Sequence, residues 1–431
     1  MDRKITDYLT AWKESGHRKP LILQGARQVG KTYSVLEFGR RCYENVAYFN
    51  FETNPKLNHT FEENISPDYL IPILSHIAGQ TIVREKTLIV FDEVQLCERA
   101  VTSLKYFCED APEYHIVALG SLLGVAVSRS KYSFPVGKVD LKTLYPMDIE
   151  EFMLALGEES LVEQIRHSFQ TDTPLPSALH DAAMQRYRQY LIVGGMPECV
   201  IQFAQTGDYI LIRHTQDTIL ASYLNDMSKY NNLNEIKKTR LAYDNITVQL
   251  SKKNTRFQYK LIKKGARAAE FENAIEWLCL SGIVSQVYKV EQIKKPLENY
   301  RDIDAFKIYV SDLGLLCAKK NLVANDILYM VEELNDFKGG MTENYVNVQL
   351  TIRGYQTYYW ESGRGAEIDF VIQRGGQLIP IEVKSADNTR AKSLKVYMDT
   401  YQPAYAIKLS AKNFGFEDNK KIVPLYAAFC I

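Results

Sequence analysis

An excess of charge of either sign is missing from this sequence. Its 431 residues carry 52 Lys plus Arg and 52 Asp plus Glu, a net charge of zero, so no whole-molecule field draws the chain to nucleic acid or to an anionic membrane. Any nucleic-acid site must be a local patch. Cysteine is sparse as well: Cys42, Cys97, Cys108, Cys199, Cys279, Cys317 and Cys430 are odd in number and never spaced as CxxC, which excludes a disulfide scaffold and favours a reducing compartment. Tryptophan is scarce, with 3 against 28 tyrosines. There is no apolar run long enough to cross a bilayer, and the opening MDRKITDYLTAWKES is amphipathic and helix-like without an apolar signal core. We therefore expect a cytoplasmic protein with no membrane segment. Internal repeats and low-complexity tracts are also lacking, which excludes an array. The remaining composition, 46% hydrophobic and 24% charged, is that of a chain that packs cores rather than a disordered or collagen-like one. At roughly 100 to 200 residues per domain the length allows two to four domains.

The first 150 residues alternate short apolar runs with helical patterns, the signature of a parallel sheet flanked by helices. Candidate strands are Pro20 to Gln24, Val46 to Phe51, Thr87 to Phe91, His115 to Leu119 and Val139 to Leu144. From about Met147 the pattern turns helical, with a break at Gly194-Gly195-Met196-Pro197. Between about Asp208 and Met330 helices dominate, including AAEFENAIEWLCLSG, and the runs IVSQVYKV and FKIYVSD read as two strands. Helices with a two-strand element suggest a winged-helix-like middle domain. Toward the carboxyl terminus, MTENYVNVQLTIRG reads as a helix, QTYYWES, AEIDFVIQ and LIPIEVKS as strands, RAKSLKVYMDTY as a helix and AYAIKLS as a strand. That is an α-β-β-β-α-β order.

The strongest chemical signal is Gly25-Ala26-Arg27-Gln28-Val29-Gly30-Lys31-Thr32, a GxxxxGK[ST] loop directly after an apolar strand and before a helix. Backbone N–H groups of such a loop wrap nucleotide phosphates, Lys31 supplies a cation to the β and γ phosphates, and the Thr32 hydroxyl can bind Mg2+. The apolar run LIVFDEVQ ends in Asp92 and Glu93, a Walker B pattern in which Asp92 can hold Mg2+ and Glu93 can orient the attacking water. HIVALGS then places Ser121 after a third apolar strand, where a hydroxyl could sense the γ-phosphate or fix the water.

These segments, with FPVGKVDLKTLYPMDIEEFM, YLIVGGMPECV, IYVSDLGLL, TENYVNVQL and YYWESGRGAEIDFVI followed by IPIEVKS, resemble the AAA+ branch of P-loop ATPases. More narrowly, they resemble a mostly prokaryotic family of ATPases that carry a carboxyl-terminal domain of uncharacterised function. The resemblance spans about residues 20 to 385 and implies ATP binding with Mg2+ and hydrolysis in the amino-terminal domain. Many relatives carry an Arg where this chain has Val136-Gly137-Lys138; Arg129 is the alternative position for an arginine finger.

Residues 252–267, KKNTRFQYKLIKKGAR, hold seven Lys or Arg and no acid, with Phe257 and Tyr259 interleaved. Such a stretch serves either as a DNA-contacting face or as a solvated helix face. A second constellation lies further on: Glu343, Asp369, Glu382 and Lys384. If Gly375-Gly376 forms a two-residue hairpin turn, Asp369 lies opposite Glu382 and Glu367 faces Lys384. Alternation then gathers carboxylates and an amine that can bind a divalent metal. This arrangement resembles the PD-(D/E)xK nuclease fold. The resemblance implies Asp369 and Glu382 as metal ligands, Glu343 as a supporting ligand and Lys384 as catalytic.

Taken together, the expectation is an α/β protein in three parts: a P-loop ATPase domain over residues 1–155, a helical and winged-helix-like domain over 156–335 and a nuclease-like α/β domain over 336–431. The ATPase would drive a conformational change in a domain that engages DNA or a protein. A nucleotide-gated, metal-dependent DNA nuclease and a non-catalytic, nucleotide-switched DNA-binding adaptor are the alternatives. Homo-oligomerisation is left open.

Overall fold

Five apolar runs of the first third of the chain build one sheet. They are β1 (Leu21–Gln24), β2 (Asn45–Asn50), β3 (Thr87–Asp92), β4 (His115–Gly120) and β5 (Asp140–Thr143). The description comes from a computed structural model covering residues 3–121, 134–229, 233–252, 256–385 and 392–431. The strand order is β2-β3-β4-β1-β5, and every pairing is parallel. β3 and β4 are buried at every residue, as expected of interior parallel strands covered on both faces, and this is why their sequences show no polar alternation. The edge strand β5, DLKT, is the polar one. On one face Phe49, Phe51, Phe61 and Phe91 meet edge to face with ring centroids 5.5–6.1 Å apart. The compact unit holding this sheet comprises Met1–Tyr145 with Leu280–Gly282.

The second unit, Pro146–Cys279 with Ile283–Ile431, begins with helices and ends in a mixed sheet. Its strands are β6 (Val284–Val290), β7 (Arg301–Val310), β8 (Tyr358–Glu361), β9 (Glu367–Arg374), β10 (Gln377–Val383), β11 (Ala406–Ser410), β12 (Gly415–Glu417) and β13 (Lys420–Pro424). The order is β12-β13-β11-β10-β9-β8-β6-β7. Here the structure differs from the three-part expectation. The strands read as a wing, β6 and β7, pair with each other, but β6 also pairs in parallel with β8. One sheet therefore crosses residue 335. The physical reason is that an isolated two-stranded ribbon is at best marginally stable, whereas β7 carries a run from Ala305 to Val310 that is buried throughout.

The α-β-β-β-α-β order is present as the helix Asn335–Ile352, β8, β9, β10, the helix Lys392–Tyr401 and β11. β9 runs antiparallel to both of its neighbours, β8 and β10, and β10 pairs with β11 in parallel after the helical crossover. Gly375 and Gly376 both adopt positive φ, 52° and 75°, as a tight hairpin turn of the primed type demands. The register follows from it: Arg374 opposes Gln377, and Phe370 opposes Ile381. The helix Asn335–Ile352 is buried along nearly its whole length from Gly340 to Leu350, and its polar side chains there take partners inside the fold, Glu343 accepting from Tyr309 and Asn344 from the Val310 amide. Among the described residues no helix is long and apolar enough to cross a membrane.

Candidate nucleotide and acidic sites

The loop between β1 and the helix Lys31–Cys42 is shaped by backbone constraints. Gly25 lies against the Leu144 carbonyl, where a Cβ would come within 2.1 Å of the oxygen, and Gly30 begins the helix at φ 92°. Arg3, a residue that motif reading overlooks, is buried and donates from Nη1 to the Val29 carbonyl at 3.1 Å and from Nη2 to the Tyr145 carbonyl at 3.0 Å. It thereby braces the loop from outside. The Lys31 ammonium sits on the Gly25 and Ala26 carbonyls at 2.9 and 2.8 Å.

Because β4 lies between β1 and β3, the loop, the acidic pair after β3 and Ser121 after β4 converge at one sheet edge. The Thr32 hydroxyl donates to Asp92 Oδ2 at 2.9 Å, and the Tyr48 hydroxyl donates to the same oxygen at 2.6 Å. Tyr48 is a second member that the sequence did not announce. Burial and its bond to Asp92 push its pKa up to about 12, so it stays a hydrogen-bond donor. Glu93 occupies the left-handed region at φ 52°, an uncommon conformation for a non-glycine residue. Its Oε2 accepts from Gln95 Nε2 and, at 3.4 Å, from Ser121 Oγ. Ser121 thus touches the carboxylate expected to orient water. Lys138 is paired with Glu109 at 2.9 Å, and Arg129 lies outside the described residues.

The second expected constellation assembles differently. Lys384 Nζ bonds Glu382 Oε1 at 2.9 Å, and Asp369 Oδ2 accepts from the Val383 amide at 2.7 Å. Glu367 does not face Lys384; it pairs at 2.5 Å with Lys307. The open end of the hairpin explains this, since the ladder pairs stop at Phe370 and Ile381, and the Lys384 amide bonds the Leu409 carbonyl instead. Lys307 also lies 3.3 Å from Glu343 Oε2, which accepts at 2.9 Å from the Tyr309 hydroxyl. Burial alone would strip the Lys307 charge, but Glu343, Tyr309, Glu367 and Asp369 outweigh it and hold its pKa well above the usual lysine value. Burial, then the Glu343 charge, push Asp369 up to about 7, partly offset by Lys307, the Val383 amide and Lys384. For Lys384, burial is likewise outweighed by Glu382, Asp369 and Glu343, leaving its pKa raised. Among the described residues no three His, Cys, Asp or Glu side chains converge as a metal-holding group.

The basic stretch is also rearranged. Phe257 is buried, stacks on Phe306 at 5.5 Å and bonds its amide to the Phe306 carbonyl, so it serves the core and not a base-stacking face. Residues 253–255 lie outside the described residues. Lys252, Lys260, Lys263, Lys264 and Arg267 are exposed.

Comparison with known proteins bears on the amino-terminal unit. Residues 17–153 match the AAA domain family, while 184–326 and 338–428 match two domains of unknown function, DUF8612 and DUF4143. No curated protein matches the chain in sequence. Among solved structures the chain is similar to a Walker-type ATPase of Pyrococcus abyssi, with 13% identity and a TM-score of 0.45 over 74% of this chain and 95% of that one. It is similar to the ORC2 protein of Aeropyrum pernix, with 11% identity and a TM-score of 0.36 over 72% and 88%. The ORC1 protein of the same organism, in complex with DNA, gives 12% and 0.26 over 74% and 91%.

Proposed function

We propose that this chain, which carries an AAA-type P-loop ATP-binding domain, hydrolyses ATP with Mg2+ and uses the cycle to change how residues 146–431 engage DNA or a protein. The observation that carries the first step is the contact of Thr32 Oγ1 with Asp92 Oδ2 beside Glu93 and Ser121. An adjacent hydroxyl and carboxylate form the all-oxygen donor set that a small hard cation takes, so Thr32 and Asp92 would hold Mg2+. When bound, Mg2+ neutralises charge on the β and γ phosphates.

The chain's own residues do the rest. Backbone amides of residues 25–32 receive the phosphates at the helix amino terminus. Lys31 exchanges its two carbonyl partners for phosphate oxygens. Glu93 holds the attacking water and takes its proton, while Ser121 and Gln95 fix the carboxylate's orientation. Phosphate release from ATP in the presence of Mg2+ tests the reading: the wild-type chain turns over and Lys31→Ala does not. Unchanged turnover in that variant would sink it.

For the second step, the exposed cations Lys260, Lys263 and Lys264 support contact with a phosphate backbone. Reversing all three to Glu is expected to weaken duplex binding and to lower the salt slope of log K by about 1 for each lost phosphate contact. A titration with labelled duplex at several salt concentrations measures both. An unaltered slope would mean that these lysines only solvate their face and that the partner is bound elsewhere.

A further inference from the structure

Among the described residues Lys307 is the most deeply buried lysine. It lies on β7 between Phe306 and Ile308, both buried, and its own side chain is 1% exposed. A buried ammonium persists only where it is paired and hydrogen-bonded. Its partners are Glu367 at 2.5 Å and Glu343 at 3.3 Å, and it lies 5.0 Å from the centre of the Tyr359 ring. Tyr309, two residues along the same strand and hence on the same face, donates to Glu343 Oε2 at 2.9 Å.

We propose that Lys307 is the resident cation of this acidic cluster, its ammonium engaging Glu343, the supporting carboxylate that a metal held by Asp369 and Glu382 would need, together with Glu367. Glu343 is then a partner of Lys307 and Tyr309, not a metal ligand. The residues do not fit the cage implied by the nuclease resemblance: no three candidate ligands converge among the described residues, and Lys307 already supplies Glu343 and Glu367 with a shared positive charge. What remains open is confined to the other side of the cluster. Asp369 spends Oδ2 on the Val383 amide, and Glu382, 2% exposed, has Oε1 on Lys384 while Oε2 lacks a hydrogen-bond partner. Any divalent ion would have to rely on Asp369 and Glu382 without Glu343. The hard-cation preference for six or more oxygens makes two carboxylates a weak site. This inference is independent of the ATPase reading, because it concerns residues 307–384 alone.

The test uses the full-length chain carrying Asp92→Asn, without nucleotide, so that the cation position beside Thr32 is silenced. Mn2+ uptake is followed by loss of the free-ion paramagnetic resonance signal, and unfolding temperature is recorded with and without Mn2+. Expected is that Glu343→Gln leaves Mn2+ uptake as in the parent, whether the parent takes up none or binds weakly through Asp369 and Glu382. Lys307→Met strands two carboxylates; it is expected to lower the unfolding temperature on the order of 10 °C and to gain a Mn2+ equivalent that restores part of the loss. Lys307→Arg, which keeps the charge, should gain none. The proposal is overturned if the parent binds Mn2+ and Glu343→Gln removes that binding as fully as Asp369→Asn does, or if Lys307→Met keeps parental stability without Mn2+. Should Lys307→Met fail to fold, Glu343→Gln and Glu367→Gln are read by stability instead: each removes one of the two carboxylates that hold the ammonium, so each should lower the unfolding temperature, and parental stability in both would overturn the proposal.

Discussion

Glu93→Gln is expected to stop ATP turnover while leaving nucleotide bound, and Lys31→Ala to lose both. The two differ because they act on different stages. Glutamine has the shape of glutamate and can still accept from Gln95 and Ser121, the two groups on Glu93 Oε2, so the loop and the Thr32–Asp92 contact are untouched. What it cannot do is take a proton from water, and loss of such a base slows the chemical step by roughly 10²–10⁴-fold. Lys31→Ala instead removes the one side-chain ammonium held over the loop by the Gly25 and Ala26 carbonyls. Those carbonyls, left in place, would face the incoming phosphates with no cation between, so affinity falls along with rate. Binding of a fluorescent ATP analogue and phosphate release, measured on both variants, separate the effects. Equal affinity in Lys31→Ala and wild type, or normal turnover in Glu93→Gln, would contradict the assignment.

How far the sequence led depended on whether the information was local. β1 to β4 lie within one residue of the runs that the apolar pattern marks; β1, β3 and β4 do so because strands buried on both faces are written as continuous apolar segments, and the edge strand β2 because Ala47 and Phe49 alternate inward. The phosphate loop is equally local, since eight consecutive residues carry it. The β9–β10 register was legible because a two-residue turn determines every later pair. Where the ladder ends was not, and so Glu367 turned to Lys307 instead of Lys384. Nothing in the pattern of β6 and β7 says which third strand they will join, because pairing with β8 is a long-range choice. A signal for Lys307 did exist. A lysine inside FKIYV, with Tyr309 on its own face, interrupts a run too apolar to be a surface strand, and a charge in such a run must have a buried partner. In the basic stretch the same logic runs in reverse: Phe257 stands among charged neighbours, yet an aromatic there closes the core against Phe306.

Asp312→Ala is expected to destabilise the second unit, by an amount that depends on pH. Asp312 joins two segments distant in sequence, the Gly194-Gly195-Met196-Pro197 turn and the helix Leu313–Lys319. It is 3% exposed; Oδ1 caps that helix by accepting from the Leu315 amide at 2.8 Å, and Oδ2 accepts from the Gly195 amide at 2.6 Å. Alanine removes a cap of about 0.5–2 kcal/mol and leaves the Gly195 N–H buried without that acceptor, at about 1–3 kcal/mol. A loss of about 2–4 kcal/mol at neutral pH follows from the two together. The pH dependence has a definite sign. Burial pushes the Asp312 carboxyl from 3.8 up to about 6, against the opposing pull of the Leu315, Gly195, Gly314 and Met196 amides. Between those values the folded chain keeps a proton that the unfolded chain has released, so this group's contribution is full below pH 3.8, falls as pH rises and levels off above about 6. The interval corresponds to ~3 kcal/mol. Alanine cannot titrate, so the gap between wild type and variant should widen toward acid pH by up to that amount, read from denaturant midpoints at several pH values. A gap that stays constant from pH 4 to 7, or narrows toward acid, would show that Asp312 is ionised in the fold throughout and that its amide donors outweigh burial.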